Sequence, residues 1–359
     1  SKLLSLGWSQ CKSWKSGLEE TARWYMNVDL YAYWGDISAA LTAHPLANMP
    51  GVQSHSSPAQ TQEETKGETS FLIYGRNGWI GAMLGRLLLK KGRKCYYGDA
   101  RLQDRASIER DIEVWKPTHI LNAAGLTGRP NVDWCESHRR EVVETNVLGT
   151  LNLIDTAKRH NIHVTNFATG CIYTYDENHP LDGAGFTECD EPNFVGSYYS
   201  KTKAMVESLL MEYDNVLQLR LRMPIDDDLC NPRNFINKIV NYDKVVDVPN
   251  SMTVLNELIP LAIEGALRRL VGIYNFTNPG VISHNEVLQL YREYCDEKFT
   301  WRNFSIDEQS KILAAPRSNN KLDTTKLEEA FPGILDIRSS LIKYVFEVNR
   351  GFQIPKNET

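Results

Sequence analysis

The chain has 359 residues, 42% of them hydrophobic and 24% charged, enough apolar material for one large or two ordinary globular domains. A formal net charge of −5 argues against a general nucleic-acid or membrane-surface role, and no apolar run approaches the roughly 18–20 residues that a membrane helix needs. Seven cysteines, odd in number and without paired spacing, read as reduced cytosolic thiols and predict a cytoplasmic protein.

Residues 1–50 stand apart. One helical pattern covers Ser16–Met26, and a segment of this size with one helix cannot bury much on its own. The first methionine is Met26, so further chain upstream is expected. Gly51–Thr69 is polar, rich in Ser, Gln and Thr, and reads as a linker.

From Ser70 the pattern changes. Phe71–Tyr74 is a short apolar run that suits a buried parallel strand, and it enters Gly75-Arg76-Asn77-Gly78-Trp79-Ile80-Gly81 before a helical stretch Ala82–Leu89. Strand, glycine turn and helix together let backbone N–H groups and a helix N-terminus receive a pyrophosphate. Gly75 would give the tight turn, Gly78 the close approach of phosphate and Gly81 the close packing of helix on strand. Taken alone the triplet is a weak signal, because plain turns also use it.

The alternation continues with a strand at Lys94–Tyr97, a helix over Asp104–Trp115, and a strand at Thr118–Asn122 ending in Asn122-Ala123-Ala124-Gly125. A longer helix is predicted over Arg140–His160, a strand over His163–Ala168, a helix over Tyr199–Tyr213, and strands at Val216–Leu221 and Ile273–Phe276. Repeated β–α alternation predicts an α/β fold: a doubly wound parallel sheet of the Rossmann kind. Further on, Pro260–Leu270 reads as a helix with Pro260 in its first turn. Ser283 and Glu286 form a capping-box signature for the helix to Cys295, and Leu327–Phe331 and Ser339–Val348 read as two short helices. The expected division is a dinucleotide-binding domain over 70–222 and, mainly, a smaller substrate-binding lobe over 223–350, lying at the carboxyl ends of the strands.

Tyr199 and Lys203 lie one helical turn apart on one face. A tyrosine hydroxyl, with a pKa of about 10, is a poor acid–base group at neutral pH, and an adjacent lysine cation is expected to favour the phenolate. An aromatic–lysine pair on an exposed helix is the commoner meaning of such a spacing, and Tyr198 with Thr202 offers a second register without the cation. Upstream, the predicted strand ends at Thr169-Gly170-Cys171, where a hydroxyl would be a second donor to a substrate oxygen.

Glycine loop, NAAG turn, strand-end Thr169 and the Tyr199–Lys203 helix occur in the order of the extended short-chain dehydrogenase/reductases, which the chain resembles from Ser70 to about Arg350. More narrowly, GLTGRPNVDWCE (Gly125–Glu136), ATGCI (Ala168–Ile172), YSKTKAMVE (Tyr199–Glu207), RMPI (Arg222–Ile225), NPRNFI (Asn231–Ile236), NFTNPGVISHNE (Asn275–Glu286) and APRSNN (Ala315–Asn320) resemble the nucleotide-rhamnose epimerase-reductases. LGW (Leu6–Trp8), GLEETARWY (Gly17–Tyr25) and YWGD (Tyr33–Asp36) resemble the tail of an NDP-glucose 4,6-dehydratase. Plant rhamnose synthases fuse the two enzymes in that order, so a covalent upstream dehydratase domain is implied. The dehydratase's own catalytic region is absent, and no dehydratase activity is assigned.

The resemblance implies UDP-4-keto-6-deoxyglucose as substrate, with the dTDP form as the variant, and UDP-L-rhamnose as product. Protons at C3 and C5 are acidic because the C4 carbonyl delocalises the carbanion, and inverting each centre requires a base on one face and an acid on the other. The family's epimerising pair falls on Cys171 and Lys238. A thiol near 8.5 and an ammonium near 10.4, as rough reference values, each need a shift to share protons near pH 7. A lone strand-end Cys is more often a buried apolar group, and a lone helical Lys a solvated charge. Tyr199 would then protonate the C4 oxygen, with Thr169 donating to the same atom and Lys203 holding Tyr199 and the nicotinamide ribose.

The resemblance places the cofactor on Gly75, Arg76, Asn77, Gly78, Trp79, Ile80, Gly81, Arg101, Asn122, Ala123, Ala124, Lys203 and Arg222. It places the sugar nucleotide on Thr127, Arg129, Asn131, Asn234, Arg317 and Asn319. Asp99, where an acid would take a ribose 2′-hydroxyl, favours NADH, whereas Arg76 and Arg101 would suit a 2′-phosphate; NADPH is expected, with NADH usable. His119, His138 and His284 show no metal-ligand spacing, so no metal is expected. A homodimer is admitted, and nucleic-acid and membrane partners are not. The rival readings are a reductase that receives already epimerised sugar and a non-catalytic cofactor-binding subunit.

Overall fold

Phe71 and Ile73 face one side of a sheet and Leu72 and Tyr74 the other, and all four are at most 1% exposed. A strand buried on both faces has helices above and below it. A computed structural model describes residues 13–27, 69–128, 131–305, 308, 313 and 315–355, and the chain divides into two compact units, Ser1–Thr65 and Lys66–Thr359. The first unit contains α1, Trp14–Asn27, two residues longer at its start than its apolar pattern suggests, with Trp14 and Leu18 exposed. The other features read in residues 1–50, and the linker up to residue 68, lie outside the described residues.

The second unit begins with β1 (Ser70–Tyr74), α2 (Trp79–Lys90), β2 (Lys94–Tyr97), α3 (Arg105–Trp115) and β3 (His119–Asn122). Asp104 caps α3 by accepting the Ser107 N–H. Next come α4 (Trp134–Ser137) and α5 (Arg139–Val142), which continues through wider π-helical turns, Val143–Gly149, into α6 (Thr150–Arg159). Asn146 on those turns is 1% exposed and clamps the backbone of Leu126, accepting its N–H and donating to its carbonyl, both at 2.8 Å. The predicted Arg140–His160 helix carried no sign of this widening, which aims a side chain at a loop.

Then follow β4 (His163–Thr169), α7 (Tyr198–Leu210), β5 (Val216–Leu221), β6 (Pro224–Ile225), α8 (Phe235–Val240), β7 (Thr253–Val254), α9 (Leu255–Leu267), β8 (Gly272–Asn275), α10 (His284–Tyr294), α11 (Thr325–Ala330) and α12 (Ile337–Leu341), which runs on into π-helical turns at Ile342–Phe346. The α9 helix starts five residues before the predicted Pro260, which therefore sits inside it and not in its first turn. Its N-cap is Val254, with no side-chain hydrogen bond, so the polar signal that marks most helix starts is missing. The capping box at Ser283 and Glu286 forms as read.

The main sheet has the order β2-β1-β3-β4-β5-β8, parallel throughout. The order reverses between β1 and β3, which opens a crevice at their carboxyl ends. On one face Phe71, Ile73, Leu121 and Leu219 pack with Leu84, Leu258, Ile259 and Ile263; on the other Leu72, Ile120 and Val164 pack with Ile108, Leu153 and Val206. A third core, including Ile236, Ile239, Val287, Leu288, Tyr291 and Phe346, lies around α8, α10 and α12. The two-residue strands β6 and β7, which pair in parallel, were too short to read from sequence. Met223 takes φ +38°, a strained corner for a non-glycine residue, where the chain leaves β5.

Buried histidines make the fold acid-sensitive. His119 and His163 start β3 and β4 with ring centroids 5.7 Å apart, under Phe71. Burial, then the neighbouring His163, pushes His119 down to about 3, and burial holds His284 at about 4. Both are neutral in the fold and protonate on unfolding below about pH 6.5, so the stability they confer is full above that pH and drains as pH falls. Each is expected to cost about 2 kcal/mol at pH 5 relative to pH 7.5. Thermal midpoints across that range check this; a flat profile sinks it.

Candidate active site

The crevice between β1 and β3 is built by glycines. Gly75 has φ +91°, and a Cβ there would lie 2.7 Å from the Ala123 carbonyl carbon. A Cβ on Gly81 would lie 2.2 Å from the Gly75 oxygen. Only hydrogen fits at either position, as the turn and the helix packing require. Gly78 caps α2 with its backbone and no side chain bonds to that end, so its first-turn N–H groups suit an anion.

Two residues expected to compete for a ribose meet each other: Arg76 Nη1 lies 3.0 Å from Asp99 Oδ1, both largely exposed. Such a pair contributes at most about 1 kcal/mol and exchanges readily for a ligand. Asp111 shapes this corner by accepting the Ala100 N–H and the Tyr74 hydroxyl, and Arg101 is exposed beside it. Asn122 is buried; it donates to Asn166 and accepts the Ala124 N–H, so its side chain braces the turn.

Ser197 caps α7 by accepting the Ser200 N–H at 3.1 Å, which sets Tyr199, Lys203 and Glu207 at successive turns. Tyr199 is 7% exposed, lies close enough to Thr169 for that residue to act on its phenol, and packs beside Cys171. The Cys171 N–H donates to Thr169 Oγ1 at 3.1 Å. The structure therefore brings Thr169, Cys171 and Tyr199 together. It also overturns the expected phenolate: burial, then Cys171, raises the Tyr199 pKa, outweighing the lowering effect of Thr169. Tyr199 is a neutral phenol near pH 7, the form that donates a proton. Lys203 is the shifted partner, lowered by burial to about 8 against the pull of Glu207. Glu207 is itself held by Arg220 through two bonds of 2.7 and 3.0 Å in a buried pair.

Lys238 sits on α8, half-buried. Burial, then the Arg233 charge, lowers its pKa, the direction a proton-transferring lysine needs. Its side-chain ammonium makes no hydrogen bond or ion pair among the described residues. Cys171 and Lys238 are not bonded to each other, and the residues expected at the sugar nucleotide divide. Thr127 is exposed, Asn131 accepts the Asp133 N–H at 2.8 Å, and Arg129 lies outside the described residues. Arg317 forms a two-pronged pair with Asp133 at 2.7 and 2.9 Å, close enough to Tyr242 for both charges to act on its hydroxyl.

Two expectations need correction. Arg222, expected at the cofactor, is 1% exposed and bonds to Gly170 O, Ser318 and Asn250, so its guanidinium is a strut beneath the strand end. Asn234, expected at the substrate, is fully buried, donates to Asp226 O and Asp228 O, and caps α8. Asn319 accepts from Asn250 in the Arg222 network. For Arg222 and Asn234 a polar side chain that looked like a ligand contact is held by buried backbone and side-chain partners.

Sequence reasoning missed Asp226. Its carboxylate accepts Trp79 Nε1–H at 2.6 Å and Asn234 Nδ2–H at 3.1 Å, and burial raises its pKa to about 6. One buried acid thus ties the first residue of α2 to the cap of the helix that carries Lys238. The partners lie 147 positions apart, and no local pattern announces them. Among the described residues no group of three or more His, Cys, Asp or Glu could hold a metal ion, and no helix is long and apolar enough to cross a membrane.

The glycine cradle and the tyrosine–lysine helix define a dinucleotide-binding α/β protein, and comparison narrows the class. Residues 71–224 match the NAD dependent epimerase/dehydratase family, to which the chain belongs. A bifunctional dTDP-4-dehydrorhamnose 3,5-epimerase/dTDP-4-dehydrorhamnose reductase from Arabidopsis thaliana is 60% identical over 286 residues, covering 79% of this chain and 95% of that protein. A trifunctional UDP-glucose 4,6-dehydratase/UDP-4-keto-6-deoxy-D-glucose 3,5-epimerase/UDP-4-keto-L-rhamnose-reductase from the same plant is 52% identical over 97% of this chain, which spans 56% of that longer protein. The crystal structure of the L780 UDP-rhamnose synthase from Acanthamoeba polyphaga mimivirus is 39% identical, with a TM-score of 0.73, covering 79% of this chain and 98% of that one.

Proposed function

We propose that the chain is a 3,5-epimerase and 4-keto-reductase that converts UDP-4-keto-6-deoxy-D-glucose to UDP-L-rhamnose with NADPH, and with NADH as a usable reductant. The observation that carries this reading is the gathering of Thr169, Tyr199 and Cys171 at the end of β4, in a chain 60% identical to a bifunctional epimerase/reductase. The residues present fit a dinucleotide, since a Cβ would fill the cradle at Gly75 and Gly81 and α2 lacks a side-chain cap. Gly75–Gly81 and Lys203 would hold it, and when bound it supplies a hydride.

Cys171 and Lys238 divide the proton work at C3 and C5, one as base and one as acid on opposite faces of the sugar. Thr169 and the Tyr199 phenol stabilise the enolate oxygen while a proton is away. When C4 is reduced, Tyr199 gives its proton to the same oxygen. Lys203 holds the tyrosine in place and keeps a cation near the growing negative charge. Arg317, released from Asp133, and Thr127, Arg129 and Asn131 are positioned by sequence to meet the sugar nucleotide's diphosphate. The dTDP-linked sugar, the substrate form in the 60%-identical relative's name, is the competitor to test.

Mixing the protein with NADPH and UDP-4-keto-6-deoxyglucose is expected to oxidise the cofactor and yield UDP-L-rhamnose. Cofactor oxidation without inversion at C3 and C5 would leave a plain reductase, and no oxidation would leave a non-catalytic cofactor-binding subunit.

A further inference from the structure

We propose that Arg233, on the loop leading into α8, is a cofactor-binding residue whose guanidinium engages the pyrophosphate of the dinucleotide at the glycine loop. This rests on reading that loop as a nicotinamide-dinucleotide site. Arg233 lies far from the glycine loop in sequence, yet its Nη1 stands 4.0 Å from where a Cβ on Gly78 would be. It lines, with Asn77, Gly78, Trp79 and Arg86, a cavity of about 360 Å³ at the start of α2.

The charge count at that spot is what calls for a cation. A pyrophosphate in a dinucleotide carries about two negative charges, whereas a helix N-terminus offers roughly half a positive one. The glycine loop's own cation, Arg76, is turned toward Asp99 and the ribose end. A guanidinium presents a planar fork of donors that matches phosphate oxygens.

Three acids share this wall of the cavity, Asp226, Asp227 and Asp228, and each accepts N–H donors. Asp226 accepts from Trp79, Asn234 and the Asp228 N–H; Asp227 accepts from Asn256, and Asp228 from the Cys230 N–H. The backbone that carries Arg233 is pinned on both sides. Its N–H donates to Asn231 Oδ1 at 3.0 Å, and the next residue, Asn234, is fully buried as the α8 cap. The Arg233 side chain is exposed, an arm carried on a fixed base.

The test is equilibrium binding of NADPH, NADH and ADP-ribose to the full chain and to Arg233→Gln, with thermal midpoints checking the fold. The pyrophosphate is common to all three, so Arg233→Gln is expected to weaken each by the same factor, about tenfold or more. Arg233→Lys, which keeps the charge without the fork, is expected to lose less. Unchanged affinity in Arg233→Gln overturns the inference, and so does a loss confined to NADPH, which would put the contact at the 2′-phosphate. A wild-type chain that binds none of the three overturns the dinucleotide reading itself.

Discussion

Tyr199→Phe is expected to slow reduction of the keto sugar by about 10²–10⁴-fold, the range that a positioned proton donor contributes. The hydroxyl is buried against Thr169 and Cys171, and removing it leaves Thr169 as a hydrogen-bond donor to the oxygen but with no proton to give at neutral pH. The ring stays, so the small cluster it forms with Cys135 and Val142 stays packed and the fold is retained. Cofactor affinity is expected to hold, because Lys203 and the glycine cradle are untouched. Stopped-flow measurement of cofactor oxidation, with NADPH binding measured separately, separates the two effects. A variant that reduces the sugar at the wild-type rate would remove Tyr199 from the chemistry.

The direction of the Tyr199 shift shows where sequence reasoning runs out. A tyrosine and a lysine four residues apart predict a shared helix face, and α7 provides it. Which of the two groups moves toward neutrality depends on burial, which spacing cannot report. Burial raises the phenol and lowers the ammonium together. The glycine loop was legible for the opposite reason. Its demand is backbone geometry, and only glycine meets a φ of +91° or a 2.2 Å approach without strain. The parallel alternation was legible because strands buried on both faces read as short apolar runs. Arg222 and Asn234 misled because a polar side chain in a motif looks the same whether it meets a ligand or a buried carbonyl. Asp226 stayed hidden because its partner Trp79 sits on α2, far away in sequence, and Arg233 because it approaches the glycine loop only through the fold.

Cys171→Ala and Lys238→Ala are each expected to abolish inversion while sparing the cofactor. With a base on one face and an acid on the other, losing either stops net inversion at a centre, and losing the base also stops proton removal. Exchange of solvent deuterium into C3 and C5 is therefore expected to fall by about 10²-fold or more in the variant that lacks the base. Cys171→Ala vacates a side chain packed beside Tyr199, so a modest loss of stability accompanies it. Lys238→Ala removes a half-buried ammonium that has no ion-pair partner among the described residues, and it is expected to stabilise the chain slightly or leave it unchanged. That contrast protects the test, since a loss of exchange in Lys238→Ala cannot be blamed on unfolding. Any reduction remaining in either variant should give a product that keeps the substrate's configuration at C3 and C5, because Tyr199 still serves the C4 oxygen. Unaltered exchange in both variants would mean that other groups carry the epimerisation and that Cys171 and Lys238 only line the site.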